Sequence, residues 1–134
     1  MSAHRERGFV TAIDVFVIGS GIAGLAAANA AYEAGARRIM VAEAEGVVGG
    51  SSRLSGGIVM AAGSRLQRSA GITDDGDALF HDYMALNQWR LDAGVVRRYA
   101  NESGAALDWL VDLGVEFHPQ LIFGGDERVP RCAR

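Results

Sequence analysis

Apolar residues in this chain fall into two short continuous runs, followed by longer stretches with helical spacing. Ala12 to Ile18 (AIDVFVI) and Arg38 to Glu43 (RIMVAE) are β-branched-rich and apolar almost throughout, the pattern of parallel strands buried on both faces. Between them Ile22 to Ala34 is alanine-rich and reads as a helix, with Gly35 as its stop. Strand, tight glycine turn, helix and strand predict a right-handed βαβ unit. Two further helices are expected. Asp74-Asp75-Gly76-Asp77 opens the first, whose carboxylates suit a helix N-terminus; Leu79, Tyr83, Leu86 and Arg90 share one face, widened by Phe80, Met84 and Trp89. Asp92 caps the second, from about Ala93 to Leu113, with a broad stripe of Val95, Tyr99, Ala106 and Leu110 beside Val96, Ala100, Leu107 and Val111; Gly114 ends it. Val115-Glu116-Phe117 is a candidate strand, and the tail from Gly124 reads as loop.

Between these stretches, Ala44 to Gly63 is rich in glycine and serine but carries Val47, Val48, Ile58, Val59 and Met60, too apolar for a flexible linker. It reads as an ordered loop running into a short helix. Eighteen glycines among 134 residues cluster here and after the first strand. That clustering implies backbone in left-handed conformations or pressed against a neighbour.

The densest cluster is Gly19-Ser20-Gly21-Ile22-Ala23-Gly24, a G-x-G-x-x-G directly after a strand. Gly19 permits the turn, Gly21 lets a pyrophosphate approach the backbone, and Gly24 lets the helix pack closely on the strand. The helix N-terminus presents free N–H groups and its positive dipole end to phosphate. Glu43 closes the second strand, nineteen residues beyond Gly24, where a carboxylate can accept from ribose hydroxyls and disfavours a 2′-phosphate. A glycine turn in any parallel α/β domain, with Glu43 a solvated strand end, is the plainer alternative. The motif alone does not separate NAD from FAD. The loop Gly49-Gly50-Ser51-Ser52, followed by Gly56-Gly57, can follow an extended cofactor with N–H and hydroxyl donors; an ordinary surface loop has the same composition.

Composition narrows the classes. A charge of −3 without a basic stripe argues against nucleic acid. The single Cys132 excludes an internal disulfide and fits a reducing compartment. Val15 to Ala31, following His4, Arg5 and Arg7, has the look of a signal-peptide core, but Asp14 and the glycine pattern argue against that, and the run is too short for a spanning helix. A cytoplasmic location is the default. His4, His81 and His118 have no metal-ligand spacing, so no metal is expected. Cys132 has no evident base partner, and Arg128, Arg131 and Arg134 stay unassigned between an anion site and a solvated loop.

The order DVFVIGSGIAGLAAA then VAEAEGVVGGSSRLSGGIVMAAG resembles the flavoproteins of the fumarate reductase and succinate dehydrogenase superfamily, which includes ketosteroid dehydrogenases and urocanate reductase-like enzymes. The resemblance continues through GITDDGDALFHDYM, LDWLVDLGVEF and GGDERVPRCAR, covering nearly the whole chain from Asp14. It implies an α/β fold: the N-terminal βαβ of a Rossmann-like FAD-binding domain followed by helices, residues 1–134 forming an incomplete domain without the capping domain. Gly19, Gly21, Ala23 and Gly24 then touch the ADP pyrophosphate, and Glu43 holds the adenosine ribose. Gly50, Ser51 and Ser52 reach towards ribitol and flavin, and Gly56 and Gly57 lie beside the isoalloxazine. Ser51 stands where covalent members carry a histidine, which implies FAD bound non-covalently. The implied activity is hydride transfer between flavin and a C–C bond next to a carbonyl or carboxylate of a small-molecule substrate. The proton donor and substrate clamp lie beyond Arg134 in the family, so no catalytic residue is named. A non-catalytic remnant and an NAD-binding module are the alternatives.

Overall fold

The computed structural model describes residues 12–134, so His4, Arg5 and Arg7 lie outside the described residues. The chain divides into two compact units, residues 1–55 and 56–134.

In the first unit, β1 (Val15–Ile18) pairs in parallel with β2 (Ile39–Ala42), Val15 opposite Ile39 and Ile18 opposite Ala42. The crossover is α1 (Ile22–Glu33), and Gly35, at φ 103°, turns the chain out of it. This is the βαβ unit expected from the apolar runs, each strand shorter by two or three residues because only the paired core of each run is regular. Asp14 fastens the two strand starts together. Its carboxylate accepts from the Arg37 and Arg38 amides at 3.0 and 2.9 Å and from the Arg38 guanidinium at 2.8 Å. The Arg38 guanidinium, with those amides, holds the Asp14 carboxyl far below the usual carboxylate range. The salt-bridged carboxylate thus stands at the head of the β1–β2 pair. Beyond β2 a short 3₁₀ turn, Gly50–Leu54, returns the chain to the glycine turn. Among the described residues the sheet has two strands, and Ile18 is 84% exposed.

The second unit is built on two long helices that follow the short β3 (Val59–Met60) and α2 (Arg65–Ser69). They are α3 (Gly76–Leu86) and α4 (Ala93–Asp112). Leu79, Phe80 and Met84 of α3 pack on Val96 and Ala100 of α4, with Ala62 beneath them. Further along α4, Leu107 packs with Ala61, Leu121 and Ala133. The buried stripe of α4 is therefore Val96, Ala100, Ser103, Gly104 and Leu107. It is narrower than the apolar pattern suggests, and Val95 is left exposed. Asp92 caps α4, accepting from the Gly94 and Val95 amides at 2.8 and 3.1 Å.

Three local expectations need correction. Residues 115–117 are not a strand: the Val115 amide returns to the Leu110 carbonyl at 3.0 Å, closing α4 behind Gly114. The tail is not all loop. Cys132–Ala133 forms β4, antiparallel to β3, with Val59 opposite Ala133 and Met60 opposite Cys132. Of the aspartates before α3, Asp75 is the cap, accepting from the Ala78 amide at 2.8 Å. Asp74 instead forms a buried ion pair with Arg131.

Candidate functional site: the glycine turn and the acidic end of β2

The fingerprint residues lie where β1 meets α1. A Cβ on Gly24 would stand 2.0 Å from the Gly19 carbonyl oxygen and 3.2 Å from Val17 Cγ1, so only glycine lets α1 sit this close to β1. Gly19 adopts φ 97°, the left-handed region that a side chain disfavours. The first intrahelical bond runs from the Leu25 amide to the Gly21 carbonyl at 3.0 Å, so the Ile22, Ala23 and Gly24 amides precede the helical ladder. The Ile22 amide donates to Ser52 Oγ at 3.1 Å. No acidic side chain occupies the first turn of α1, which leaves its positive end uncompensated by the helix itself.

Glu43 reaches back from the end of β2 to this turn. Its Oε2 accepts from the Ser20 amide at 2.9 Å and from the Ser20 hydroxyl, while its Oε1 accepts from the Ala44 and Glu45 amides at 2.8 and 3.1 Å. The Ser20 hydroxyl, with these amides, pulls the Glu43 carboxyl down to about 2, so it is ionised at neutral pH. Ser20 Oγ also accepts from the Gly49 amide at 2.9 Å, tying in the glycine-serine loop. Gly50 lies against Gly21, its Cβ position 3.6 Å from Gly21 Cα.

Eight of the residues expected at a cofactor site thus fall in the first unit: Gly19, Gly21, Ala23, Gly24, Glu43, Gly50, Ser51 and Ser52. The structure joins Gly21, Gly24, Glu43, Gly50 and Ser52 to the turn through the contacts above, whereas Ser51 is exposed on the 3₁₀ turn. Gly56 and Gly57 open the second unit. Sequence reasoning missed Ser20. The signal was a hydroxyl at a motif position that asks only for a small residue.

In the second unit the cysteine and the two histidines sit in structural contacts. Burial pushes the Cys132 thiol up, which argues against a nucleophile. His118 Nδ1 accepts from the Gln120 amide at 3.1 Å, and the His81 ring meets Phe80 and Trp89 edge-on.

Comparison with known proteins agrees with this geometry. A family model described as an FAD binding domain matches residues 14–129. This chain belongs to the FAD-binding domain family. Its relatives are flavoproteins. The acrylate reductase flavoprotein subunit of Shewanella woodyi is 34% identical over 119 residues, covering 89% of this chain and 24% of the relative. The open conformation of a flavocytochrome c3 fumarate reductase superposes with a TM-score of 0.79 at 32% identity, over 90% of this chain and 21% of that one. A 3-ketosteroid-Δ4-(5α)-dehydrogenase from Rhodococcus jostii RHA1 superposes with a TM-score of 0.65 at 34% identity, over 82% of this chain and 24% of that one. The chain therefore spans about a quarter or less of the length of these relatives. It is an α/β segment of an FAD-binding domain of the fumarate reductase-like superfamily, and FAD is its cofactor. No helix among the described residues is long and apolar enough to cross a membrane.

The residues present fit that cofactor. The turn has the close approach that only glycine allows, amides that precede the helical ladder, and an ionised carboxylate one hydrogen bond from the turn.

Proposed function

We propose that this chain grips the ADP half of non-covalently bound FAD in an oxidoreductase that moves hydride between flavin and a C–C bond beside a carbonyl or carboxylate. The carrying observation is the placement of the Glu43 carboxylate, held ionised against the turn at the head of α1. Bound FAD supplies the hydride chemistry; the described residues supply binding. In this reading the Ala23 and Gly24 amides donate to the pyrophosphate, and the bare backbone of Gly19 and Gly21 lets it approach. Glu43 is half-buried and its two oxygens already hold four donors from the chain, so an adenosine ribose hydroxyl takes its place at the outer edge by sharing an oxygen with, or displacing, one of those donors. Gly50, Ser51 and Ser52 continue the path towards ribitol, and Gly56 and Gly57 serve the flavin end. The reading of the reaction draws on the relatives named above, which are reductases and a dehydrogenase, and it makes the substrate a small molecule.

Two experiments test it. Titration of the chain with FAD, followed by quenching of flavin fluorescence, should show saturable binding that Glu43→Gln weakens about tenfold, the loss expected for one charge-assisted hydrogen bond. Binding of NAD with no binding of FAD overturns the cofactor role. Dye-linked reduction of fumarate, acrylate and a 3-ketosteroid enone by a protein that extends past Arg134 through a capping domain tests the reaction class. Turnover of none of them counts against it.

A further inference from the structure

We propose that Ser20 is a positioning residue of the nucleotide site, its hydroxyl locking the acidic end of β2 and the Gly49 loop together so that both meet the nucleotide as one unit. The inference rests on the reading of Glu43 as the ribose ligand. Ser20 is 2% exposed. Its hydroxyl donates to Glu43 Oε2 and accepts from the Gly49 amide at 2.9 Å. Three of the four donors on the carboxylate are backbone amides, which follow wherever the chain goes: Ser20, Ala44 and Glu45. The fourth is this side chain, and it alone of the four also holds the loop.

The motif itself does not need that hydroxyl. The position between the two glycines asks only for a small side chain, and alanine would leave the backbone of the turn unchanged. A buried hydroxyl costs free energy unless it is bonded, and here it is bonded on both sides, to two segments twenty-three and twenty-nine positions away. The same loop supplies Ser52, whose Oγ accepts from the Ile22 amide at 3.1 Å. Removing the hydroxyl therefore leaves the carboxylate to its backbone amides, unlinked from the loop, and leaves the Gly49 amide without its acceptor. Glu43 also titrates low with the Ser20 hydroxyl as the largest contribution, consistent with a group held in one orientation.

The test is a double-mutant cycle on the full chain, with Ser20→Ala, Glu43→Gln and the pair, read by calorimetric binding of ADP and of FAD. Ser20→Ala should weaken both ligands about tenfold in the wild-type background and leave binding almost unchanged when Glu43 is already Gln, the non-additivity of groups acting through one another. A carbon-13 titration of the Glu43 carboxyl should show its midpoint rising in Ser20→Ala from about 2. Ser20→Ala binding as tightly as wild type while Glu43→Gln weakens binding overturns the proposal and leaves the ribose contact standing. An additive cycle with an unmoved titration assigns Ser20 to turn stability alone and likewise overturns it. Glu43→Gln without effect on either ligand overturns the ribose contact itself.

Discussion

Arg131 and Asp74, fifty-seven positions apart, meet as a forked ion pair: Arg131 Nε to Asp74 Oδ2 at 2.6 Å and Nη2 to Oδ1 at 2.8 Å, both side chains 1% exposed. The third edge of the guanidinium is taken by Asp82 Oδ2 at 2.6 Å through Nη1, and Gln67 Nε2 donates to Asp74 at 2.9 Å. Every strong group in this knot has a partner, the condition under which buried charge is tolerated. It joins the residue before β4 to the entry and the body of α3.

Removing one partner from such a knot leaves charge buried without compensation. Arg131→Met is expected to destabilise the second unit by about 3–5 kcal/mol, because the buried Asp74 loses its counter-charge and Asp82 keeps only the exposed Arg128. Arg131→Met combined with Asp74→Asn should recover part of that loss. Both tryptophans, Trp89 and Trp109, lie in this unit, so urea unfolding followed by tryptophan fluorescence reads the effect directly. A loss below about 1 kcal/mol would reduce the knot to the worth of a surface pair.

The same knot should make the second unit acid-sensitive. Burial pushes the Asp74 and Asp82 carboxyls up, but the Arg131 hydrogen bonds and charge outweigh it, and both end below the ordinary value of 3.8. A carboxyl whose pKa is lower folded than unfolded contributes stability that is present above its unfolded pKa and is lost as pH falls through its folded pKa. Thermal midpoints followed by tryptophan fluorescence should be flat from pH 7 to about pH 5 and fall below about pH 4. The Arg131→Met/Asp74→Asn variant should show a shallower fall over the same range. An equal slope in both proteins would place the acid sensitivity elsewhere.

A single hydroxyl also holds α4 against the β3–α2 connection. Ser103 Oγ accepts from the buried Ala62 amide at 3.1 Å and donates to the Ala100 carbonyl at 3.2 Å. Ser103→Ala leaves that amide without its acceptor at a loss of about 1–3 kcal/mol, and hydrogen exchange at Ala62 should quicken to match. Ser103→Thr, which keeps the hydroxyl, should slow the exchange again if its methyl is accommodated, so Ser103→Ala with unchanged Ala62 protection is the outcome that counts against this bond.

What the sequence disclosed and what it hid follow from range. β1, β2, α1, α3 and α4 come from signals contained within a few residues, and each lies within the stretch where the pattern puts it. The glycine turn and the position of Glu43 beside it were equally legible, because both are placed by fixed spacing across one βαβ unit. β4 was not legible. It is a two-residue ladder whose partner, Val59–Met60, lies some seventy positions back, and so short a pair shows no periodicity. Asp74 looked like a helix cap because a carboxylate before a glycine and an apolar run usually is one. Its true partner, Arg131, sits in a stretch that reads as a solvated tail. Residues 115–117 misled in the opposite direction, their alternating apolar character arising from the closing turn of α4. Ser20 escaped notice because its motif position accepts any small residue, so the hydroxyl carries information only once Glu43 and Gly49 are seen on either side of it.

The close approach of α1 to β1 gives the most direct test of the turn. A methyl group on residue 24 would overlap the Gly19 carbonyl oxygen at 2.0 Å and press on Val17 Cγ1 at 3.2 Å. Both obstacles belong to β1 and the turn after it, and a backbone carbonyl cannot rotate aside as a long side chain can. Gly24→Ala must therefore push the helix start outward, at about 1–3 kcal/mol or more for an overpacked contact. Because the Ile22, Ala23 and Gly24 amides ride on that start, the shift should also move the donors away from a bound pyrophosphate. FAD binding should weaken more than in Glu43→Gln, since several amides are displaced rather than one carboxylate altered. Faster hydrogen exchange at Leu25, whose amide makes the first bond of α1 to the Gly21 carbonyl, would report the displacement without any ligand. Gly24→Ala with unchanged Leu25 exchange and undiminished FAD affinity would mean that the helix does not need this contact to hold its place.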